Sequence, residues 1–247
     1  MMPEPLQSLL TLFFPPRCIV CDARLLDNDE VICEDCRKDI RFIDLPDCPV
    51  CGAGAGKMPR RKGKPDFKQC PTCPSRKRPV YFDRCYSAVY YNDTAADIVK
   101  QLKFNRYFII ATLMARLMYI RMQQDFPAVT IDAIIPVPLH PRRLIRRGYN
   151  QAEMIAHELA RIINIPVAPE ILLRTKFTRK QTDLTDEDRY FNVRQAFVVR
   201  EPSLLEHKTV ILLDDVYTTG STLNAAAEPL KRAGADRVLG FTFAHAL

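Results

Sequence analysis

The spacing of the cysteines is the feature that most constrains how this 247-residue chain can fold. Eight of the nine cysteines form four Cys-X-X-Cys pairs, and 11, 11 and 18 residues separate successive pairs. Such pairs lie on tight turns that aim two thiolates at one ion, so two pairs complete a tetrahedral zinc site. The sequence therefore predicts two structural zinc ions. The expected ligands are Cys18, Cys21, Cys33, Cys36, Cys48, Cys51, Cys70 and Cys73.

Two other roles for paired cysteines fit the sequence less well. Stable disulfides are typical of secreted proteins, but the apolar stretch LLTLFF is six residues long and lacks the basic flank of a secretory signal. We therefore expect a cytoplasmic protein. A redox Cys-X-X-Cys motif normally occurs once in a chain. Sequential pairing of the motifs needs only short loops, while an interleaved arrangement stays open. The ninth cysteine, Cys85, is expected in the core.

The positive charge of the chain, formally +7, is concentrated in one short segment. Between residues 57 and 78, nine basic side chains stand against one acid, Asp66. The basic residues are Lys57, Arg60, Arg61, Lys62, Lys64, Lys68, Arg76, Lys77 and Arg78. Such a loop, projecting from a mobile tip, could bind the phosphates of single-stranded DNA. It could equally be solvated and without a partner, because only Phe67 offers an aromatic surface for a base.

From about Pro79 onward, strand-like and helix-like stretches alternate. Residues 79–91 form a strand-like pattern, a helical pattern follows, and a strand around Ile134 precedes a second helix. This alternation predicts an α/β domain with a doubly wound parallel sheet at 79–247. Residues 1–78 are expected to form an N-terminal helix and, from the cysteine pairs, a double zinc ribbon. The apolar stretches are shorter than the roughly 18–20 residues of a membrane span, so no membrane insertion is expected.

A cluster of arginines follows the strand around Ile134, in the segment IIPVPLHPRRLIRRGYNQAE. The prolines predict a rigid, irregular turn, and four arginines within six residues suit an anionic ligand. They are Arg142, Arg143, Arg146 and Arg147. An exposed, salt-bridged surface is the alternative interpretation. Asn150 and Glu153 then form a capping-box pattern, which predicts that the next helix begins there.

The segment VILLDDVYTTGST combines an apolar strand, two acids and a loop of small hydroxyl-bearing residues. The strand at 209–213 should end at Asp214 and Asp215, whose carboxylates can accept hydrogen bonds from vicinal hydroxyls or bind magnesium through water. Backbone amides at 218–222, backed by the next helix, can hold a phosphate. These groups predict a ribose 5-phosphate site, and an ordinary strand–turn–helix with polar caps is the alternative. Pro229 is expected to kink or shorten the helix.

On these residues the chain resembles a type I phosphoribosyltransferase, whose ligand signature is an apolar strand, two acids, and a threonine- and glycine-rich loop. More narrowly, it resembles the ComF family of phosphoribosyltransferase-like proteins that are linked to competence and DNA uptake. The matching segments are LFFPPRCIVC, the four cysteine pairs, LKFNRY, PVPLHPRRLIRRGYNQAE, QTDLTDEDRYFNVRQAF and LLDDVYTTGST. The resemblance covers nearly the whole chain.

The resemblance implies a role for each part of the site, with phosphoribosyl pyrophosphate (PRPP) and magnesium as ligands. It implies that Asp214 and Asp215 hold the ribose hydroxyls. The 5-phosphate would be bound by Thr218, Thr219, Gly220, Ser221 and Thr222. Pyrophosphate would lie against Pro138, Leu139, Arg142 and Arg143. A flexible loop from Arg174 to Asn192 would close over the site, and would bring Lys176, Arg179 and Lys180 to the leaving pyrophosphate.

Two functions remain open at this point. In the first, the protein binds PRPP and acts as an accessory factor in DNA uptake and natural transformation, in contact with single-stranded DNA and an uptake machinery. In the second, it is an active phosphoribosyltransferase with an unknown acceptor. Only 25 residues follow Thr222, too few for a separate base-binding hood, so the acceptor stays open. The first function is favoured, because the resemblance points to transformation and the basic loop fits DNA. The intact acids and loop argue against a scaffold that binds no ligand. The sequence indicates no oligomeric state.

Overall fold

A computed structural model of the chain describes residues 15–25, 31–73, 79–104, 108–176 and 195–246. The helices within these residues are α1 (Glu34–Asp39), α2 (Asp93–Phe104), α3 (Phe108–Asp125), α4 (Pro141–Arg147), α5 (Gln151–Ile163) and α6 (Ser221–Arg232). The strands are β1 (Arg60–Arg61), β2 (Lys64–Pro65), β3 (Arg84–Tyr90), β4 (Ala133–Pro136), β5 (Leu172–Arg174), β6 (Phe197–Val199), β7 (Thr209–Tyr217) and β8 (Arg237–His245).

The main sheet has the strand order β3-β8-β7-β4, and all of its pairs are parallel. Its two inner strands, β7 and β8, read as nearly continuous apolar runs, as expected where both faces of a sheet are covered. Val167 adds one more parallel bridge beside Ile134, at the outer edge of β4. The predicted α/β fold with a parallel sheet is confirmed.

Helices cover both faces of this sheet. On one face, α3 and α5 pack together with Ile211 and Phe241 in one apolar core. On the other face, α6 packs against Leu212 and Val238 in a second core. The helix α5 buries Ala152, Ile155, Ala156 and Leu159, and Asn150 caps it, as predicted, by accepting a hydrogen bond from the Ala152 amide. The sheet is therefore doubly wound, as predicted.

The cysteine-rich segment pairs directly with the outer edge of β3. The Ile43 amide donates to the Ala88 carbonyl at 3.1 Å, and the Tyr90 amide donates to the Arg41 carbonyl at 2.8 Å. Further along β3, the Cys85 amide donates to the Val50 carbonyl at 2.8 Å. The domain boundary at residue 78 stays a prediction, and these bonds show that residues on its two sides share one hydrogen-bonded framework.

A buried ion-pair cluster also joins the cysteine-rich segment to the sheet domain. The carboxylate of Asp47 accepts from Arg121 on α3 at 2.6 Å and from Arg84 on β3. Asp125 contacts both guanidinium groups, at 2.8 Å from Arg84 and 3.3 Å from Arg121. Arg121 is only 1% exposed. Since an isolated buried charge is costly, Asp47 is the partner that makes burial of Arg121 tolerable.

Three local predictions need correction. The strand β7 does not end before the aspartates but continues to Tyr217, because β8 pairs alongside it to His245. Of the two effects expected of Pro229, shortening of the helix does not occur, since α6 continues to Arg232. The arginine-rich turn is partly helical: α4 starts with Pro141 and ends at Arg147, and Gly148 caps it with the positive φ of 85° that suits glycine.

The basic loop contains a short β-hairpin, which its sequence did not predict. The strands β1 and β2 pair antiparallel, and the turn between them places Lys62 at φ 51° and Gly63 at φ 79°. Two successive positive φ values are those of a type I′ turn, which matches the twist of a hairpin. Its basic side chains are all exposed, at Arg60, Arg61, Lys62 and Lys64. We name these four residues and Gly63 the basic hairpin.

Some predictions fall outside the described residues. They are the N-terminal helix, the basic residues at 76–78, and most of the flexible loop, including Arg179 and Lys180. Among the helices that are described, none has the length and apolar character needed to cross a membrane.

The Asp47 cluster yields a prediction about stability. Asp47→Asn should lower the free energy of unfolding by about 3–5 kcal/mol, because the buried charge of Arg121 loses its main partner. As a control, Arg161→Gln removes one end of a salt bridge whose arginine side chain is 76% exposed, and should cost less than about 1 kcal/mol. Urea unfolding measures both variants. A cost for Asp47→Asn as small as that of the control would show that the cluster does not hold the two parts together.

Candidate functional site

The two aspartates lie near the carboxyl end of β7, an inner strand of the sheet. Asp215 is buried and Asp214 is half-buried. They are tied together locally, because the Asp215 amide donates to Asp214 Oδ1 at 2.9 Å. Burial, together with the charge of Asp215, raises the pKa of Asp214 to about 7. Two adjacent carboxylates in this position favour a bound cation or the hydroxyl donors of a ligand.

Two side chains from other elements hold Asp215 in place. Lys103 Nζ, at the end of α2, lies 2.6 Å from Asp215 Oδ2, and Gln151 Nε2, at the start of α5, donates to the same oxygen at 3.3 Å. Burial works against the charge of Lys103, but the attraction of Asp215 outweighs it and raises the lysine pKa. Neither residue was expected in the site from the sequence. The only local signal for Lys103 is its place in the LKFNRY segment.

The loop after β7 contains a glycine whose backbone conformation and surroundings disfavour a side chain. Gly220 has a φ of 69°, and a Cβ atom at this position would lie 2.3 Å from the Tyr217 hydroxyl. Next to it, the hydroxyls of Thr219 and Ser221 lie 2.8 Å apart. Ser221 begins α6. The first turn of a helix presents backbone amides without intrahelical acceptors, which favours a bound phosphate.

Two adjoining cavities meet at the aspartates. The first, of about 330 Å³, lies against the loop at 217–223 and Tyr91. The second, of about 410 Å³, lies on the other side of the acids. Both are lined by Lys103, Asp214, Asp215 and Thr222. The second cavity is also lined by Pro138, Leu139, Arg143, Arg146, Arg147, Asn150, Gln151 and Arg174. The fold therefore places an acidic pair between a loop suited to phosphate and a strongly basic recess.

The basic recess crowds like charges together. Burial and the neighbouring Arg147 lower the pKa of Arg143. Burial, followed by the charge of Arg143, lowers the pKa of Arg174 to about 10. Cations packed this closely repel one another, and a polyanion would relieve the repulsion. Arg174 was expected only as the first residue of a flexible loop, yet it lies on β5 and lines the recess.

Most of the predicted ligand-binding residues converge on these cavities, and a few lie slightly apart. Arg142 is exposed on α4, where its amide bonds to His140 Nδ1 at 3.2 Å, and it does not line the two described cavities. Thr219 supports the loop through Ser221. Lys176, expected near the leaving group, bonds to Gln195 at 3.5 Å.

The cysteines form two clusters that follow the sequential pairing. In the first cysteine cluster, the Sγ atoms of all four residues lie within 4.8 Å of one another. It consists of Cys18, Cys21, Cys33 and Cys36. In the second cysteine cluster, Cys48, Cys51 and Cys70 meet the same limit, and the Cys73 side chain interacts with Cys48 and Cys51. The interleaved alternative is therefore not the arrangement in the structure.

The geometry of both clusters fits zinc. Sulfurs bound tetrahedrally at about 2.3 Å from an ion lie about 3.8 Å apart. The Sγ atoms of Cys21 and Cys33 are 3.6 Å apart, and those of Cys51 and Cys70 are 3.4 Å apart. Four-cysteine sites are closed, so they would support structure rather than catalysis.

Comparison with known proteins identifies a family domain in the cysteine-rich segment and another in the sheet domain. Residues 9–87 match a double zinc ribbon domain, and residues 149–244 match a phosphoribosyl transferase domain. Competence protein F of Haemophilus influenzae is 31% identical over 92% of this chain and 95% of its own length. The DNA utilization protein YhgH of Escherichia coli K12 is 30% identical over 92% of this chain and 96% of its own length.

Solved structures also match part of this chain. The glutamine PRPP amidotransferase of B. subtilis is 21% identical, with a TM-score of 0.36 over 53% of this chain. The match spans about a quarter of that enzyme, 26% of its chain. The relatives, which match over nearly their whole length, and the two matching domains show that this chain belongs to the ComF family, in which a double zinc ribbon precedes a phosphoribosyltransferase-like domain.

Proposed function

We propose that the protein binds PRPP with magnesium, and that it works as an accessory factor in DNA uptake that contacts single-stranded DNA. One observation carries the ligand assignment: the acidic pair stands between a phosphate-type loop and a basic recess, and the same four residues line both cavities. PRPP has the matching order of groups, with a 5-phosphate, a ribose diol and a pyrophosphate.

Each part of the site has a distinct task in this proposal. The loop at 218–222 holds the 5-phosphate through its amides and hydroxyls. Asp214 and Asp215 accept hydrogen bonds from the ribose hydroxyls. Arg143 and Arg174 offset the charge of the pyrophosphate. Magnesium prefers oxygen ligands and retains several waters, so the two carboxylates suit it in its hydrated form. When bound, the ion would neutralise part of the pyrophosphate charge.

An active phosphoribosyltransferase is the second candidate. Tyr91 lines the loop-side cavity and is 42% exposed, beside Lys103 and Asp214. An exposed aromatic ring next to the sugar site is a surface on which a planar acceptor could stack. Transfer would join the acceptor to the anomeric carbon and release pyrophosphate into the basic recess.

The basic hairpin is the proposed contact for single-stranded DNA. Its four cationic side chains are exposed and carry no acidic neighbour within the hairpin itself. The names of the full-length relatives refer to competence and DNA utilization. A cytoplasmic location, where incoming DNA strands associate with an uptake machinery, completes the proposal.

The PRPP assignment predicts the effect of removing the acidic pair. The double substitution Asp214→Asn, Asp215→Asn should weaken binding of magnesium and PRPP by about 100-fold, because two charge-assisted hydrogen-bond acceptors are lost. Isothermal titration calorimetry measures the affinity. Asp236→Asn, whose side chain is 58% exposed and lies away from the cavities, is the matched control and should bind as the wild type does.

Two outcomes would contradict the PRPP assignment, and a third would decide between the two proposed functions. Absence of binding in the wild type, or equal binding in the double variant, would show that the ligand is misassigned. Pyrophosphate released from PRPP only when acceptors from a cell extract are present would favour the enzyme over the binding factor.

The DNA proposal predicts a salt-dependent affinity that resides in the hairpin. Changing Arg60, Arg61, Lys62 and Lys64 to glutamine should weaken single-strand binding and reduce the slope of log K against log salt, by about 0.7 for each lost phosphate contact. The control changes four exposed basic residues elsewhere to glutamine, with the same loss of charge. They are Lys38, Arg161, Arg200 and Arg237. Fluorescence anisotropy at several salt concentrations measures both sets, and equal losses would mean that only net charge matters.

The clusters predict about two zinc ions per chain. Cys70→Ser should reduce the content to about one, because a closed site loses one of its four ligands. Elemental analysis of the purified protein measures the metal. One ion or none in the wild type would contradict the assignment of four ligands to each cluster.

A further inference from the structure

The second cysteine cluster lies close to the loop at 218–222, which we call the phosphate loop, although the two are far apart in sequence. Cys48, Cys51 and Cys70 pack in the same apolar core as Tyr217 and the residues of α6. This proximity is unexpected for a metal module that only stabilises its own fold. A continuous set of contacts connects the cluster to the loop.

The first contact is made by Thr72, within the last Cys-X-X-Cys pair. Its hydroxyl lies 3.6 Å from the Sγ atoms of both Cys51 and Cys70, and 3.4 Å from Nε2 of His245. When the cluster holds a metal, its sulfurs are thiolates, which accept hydrogen bonds. The Thr72 hydroxyl then donates to sulfur and accepts from His245 Nε2.

His245 is held rigidly at the end of β8. It is 0% exposed, and its Nδ1 lies 3.3 Å from the Ser87 hydroxyl. Ser87 in turn lies 2.7 Å from the hydroxyl of Thr242. With both ring nitrogens engaged, the imidazole has little freedom to rotate. Its orientation therefore depends on the position of Thr72.

The next contact is a ring stack. The rings of Tyr217 and His245 lie 4.5 Å apart at an angle of 25°, where β7 and β8 end side by side. The Ala246 amide also donates to the Tyr217 carbonyl at 2.8 Å. Tyr217 is 1% exposed, so its ring cannot move without displacing its neighbours.

Tyr217 lies directly beneath the loop. Its hydroxyl occupies the space that a side chain on Gly220 would need, and it has no hydrogen-bond partner among the described residues. A displacement of the tyrosine ring would therefore push on the backbone at Gly220. The amides that follow this glycine are those that the proposed phosphate would contact.

We infer that Thr72, His245 and Tyr217 are positioning residues that couple the second cysteine cluster to the phosphate loop, so that metal binding and ligand binding favour one another. Only the identity of the ligand rests on the proposed function. Because coupling free energies are reciprocal, ligand must tighten the metal by the same factor as metal tightens the ligand. The Thr72 hydroxyl lies within hydrogen-bonding distance of both the cluster and His245, so it is the contact that the test removes.

The test uses the full-length, zinc-loaded protein and the substitution Thr72→Val, which keeps the shape of the side chain and removes its hydroxyl. Thr112→Val is the matched control, because it also removes one hydroxyl that makes a hydrogen bond. The Thr112 hydroxyl on α3 donates to Glu158 on α5 at 3.0 Å. We expect Thr72→Val to weaken binding of magnesium and PRPP about tenfold, within the usual range of coupling between sites. Zinc content should stay at two ions, and the control should bind as the wild type does.

The reciprocal measurement is competition for zinc with a coloured chelator. In the wild type and in Thr112→Val, saturating PRPP should raise the affinity for one of the two ions about tenfold. In Thr72→Val it should not. If PRPP protects both ions equally, or if Thr72→Val retains full affinity and full protection, the coupling does not exist.

A third measurement does not depend on any ligand. Hydrogen exchange of the amides at 218–223 should be faster in Thr72→Val than in Thr112→Val. If PRPP does not bind the wild type but this difference is present, the ligand proposal fails and the positioning role stands. If exchange is the same in the two variants, the positioning role is overturned whatever the ligand.

Discussion

The burial of β7 between β8 and β4 is the constraint on which the site depends. Parallel strands covered on both faces must be apolar along their length, so charged residues are tolerated only where the strand reaches the carboxyl edge of the sheet. Asp214 and Asp215 stand there, and Lys103 and Gln151 provide the buried carboxylate of Asp215 with the partners that it needs. The loop, the acids and the basic recess all open on that one edge.

The cysteine-rich segment is bonded directly to the sheet domain. It extends the sheet at β3, and Asp47 compensates the buried charge of Arg121. Its two clusters join different cores, since the first packs with α3 and α5 and the second packs with α6. The coupling that we infer between the second cysteine cluster and the loop at 218–222 offers a physical reason for linking a double zinc ribbon to a phosphoribosyltransferase-like domain, because rigidity at the cluster would be transmitted to the loop.

Local sequence patterns predicted the helices and strands well where a single pattern of apolar residues or caps dominated. The apolar run of β7, the capped start of α5 and the grouping of the cysteines in pairs agree with the structure. The end of β7 differs because pairing with β8 carries this strand past the two acids, a tertiary contact that the pattern of β7 itself does not show. Two other differences are local: a helix begins at Pro141 and is capped by Gly148, and successive positive φ values at Lys62 and Gly63 turn the chain into a hairpin.

The sequence by itself determined the chemistry of this protein: thiolates in pairs, two adjacent carboxylates, a small hydroxyl-rich loop and a run of arginines, each encoded within a few residues. Only the tertiary structure decided which distant side chains serve these groups. Lys103 and Gln151 meet at Asp215 from the ends of two helices, and Thr72 contacts His245 from 173 positions away. Spacing along the chain constrains neighbours on the same turn, while contacts across the sheet depend on strand order and packing, which no short stretch of sequence specifies.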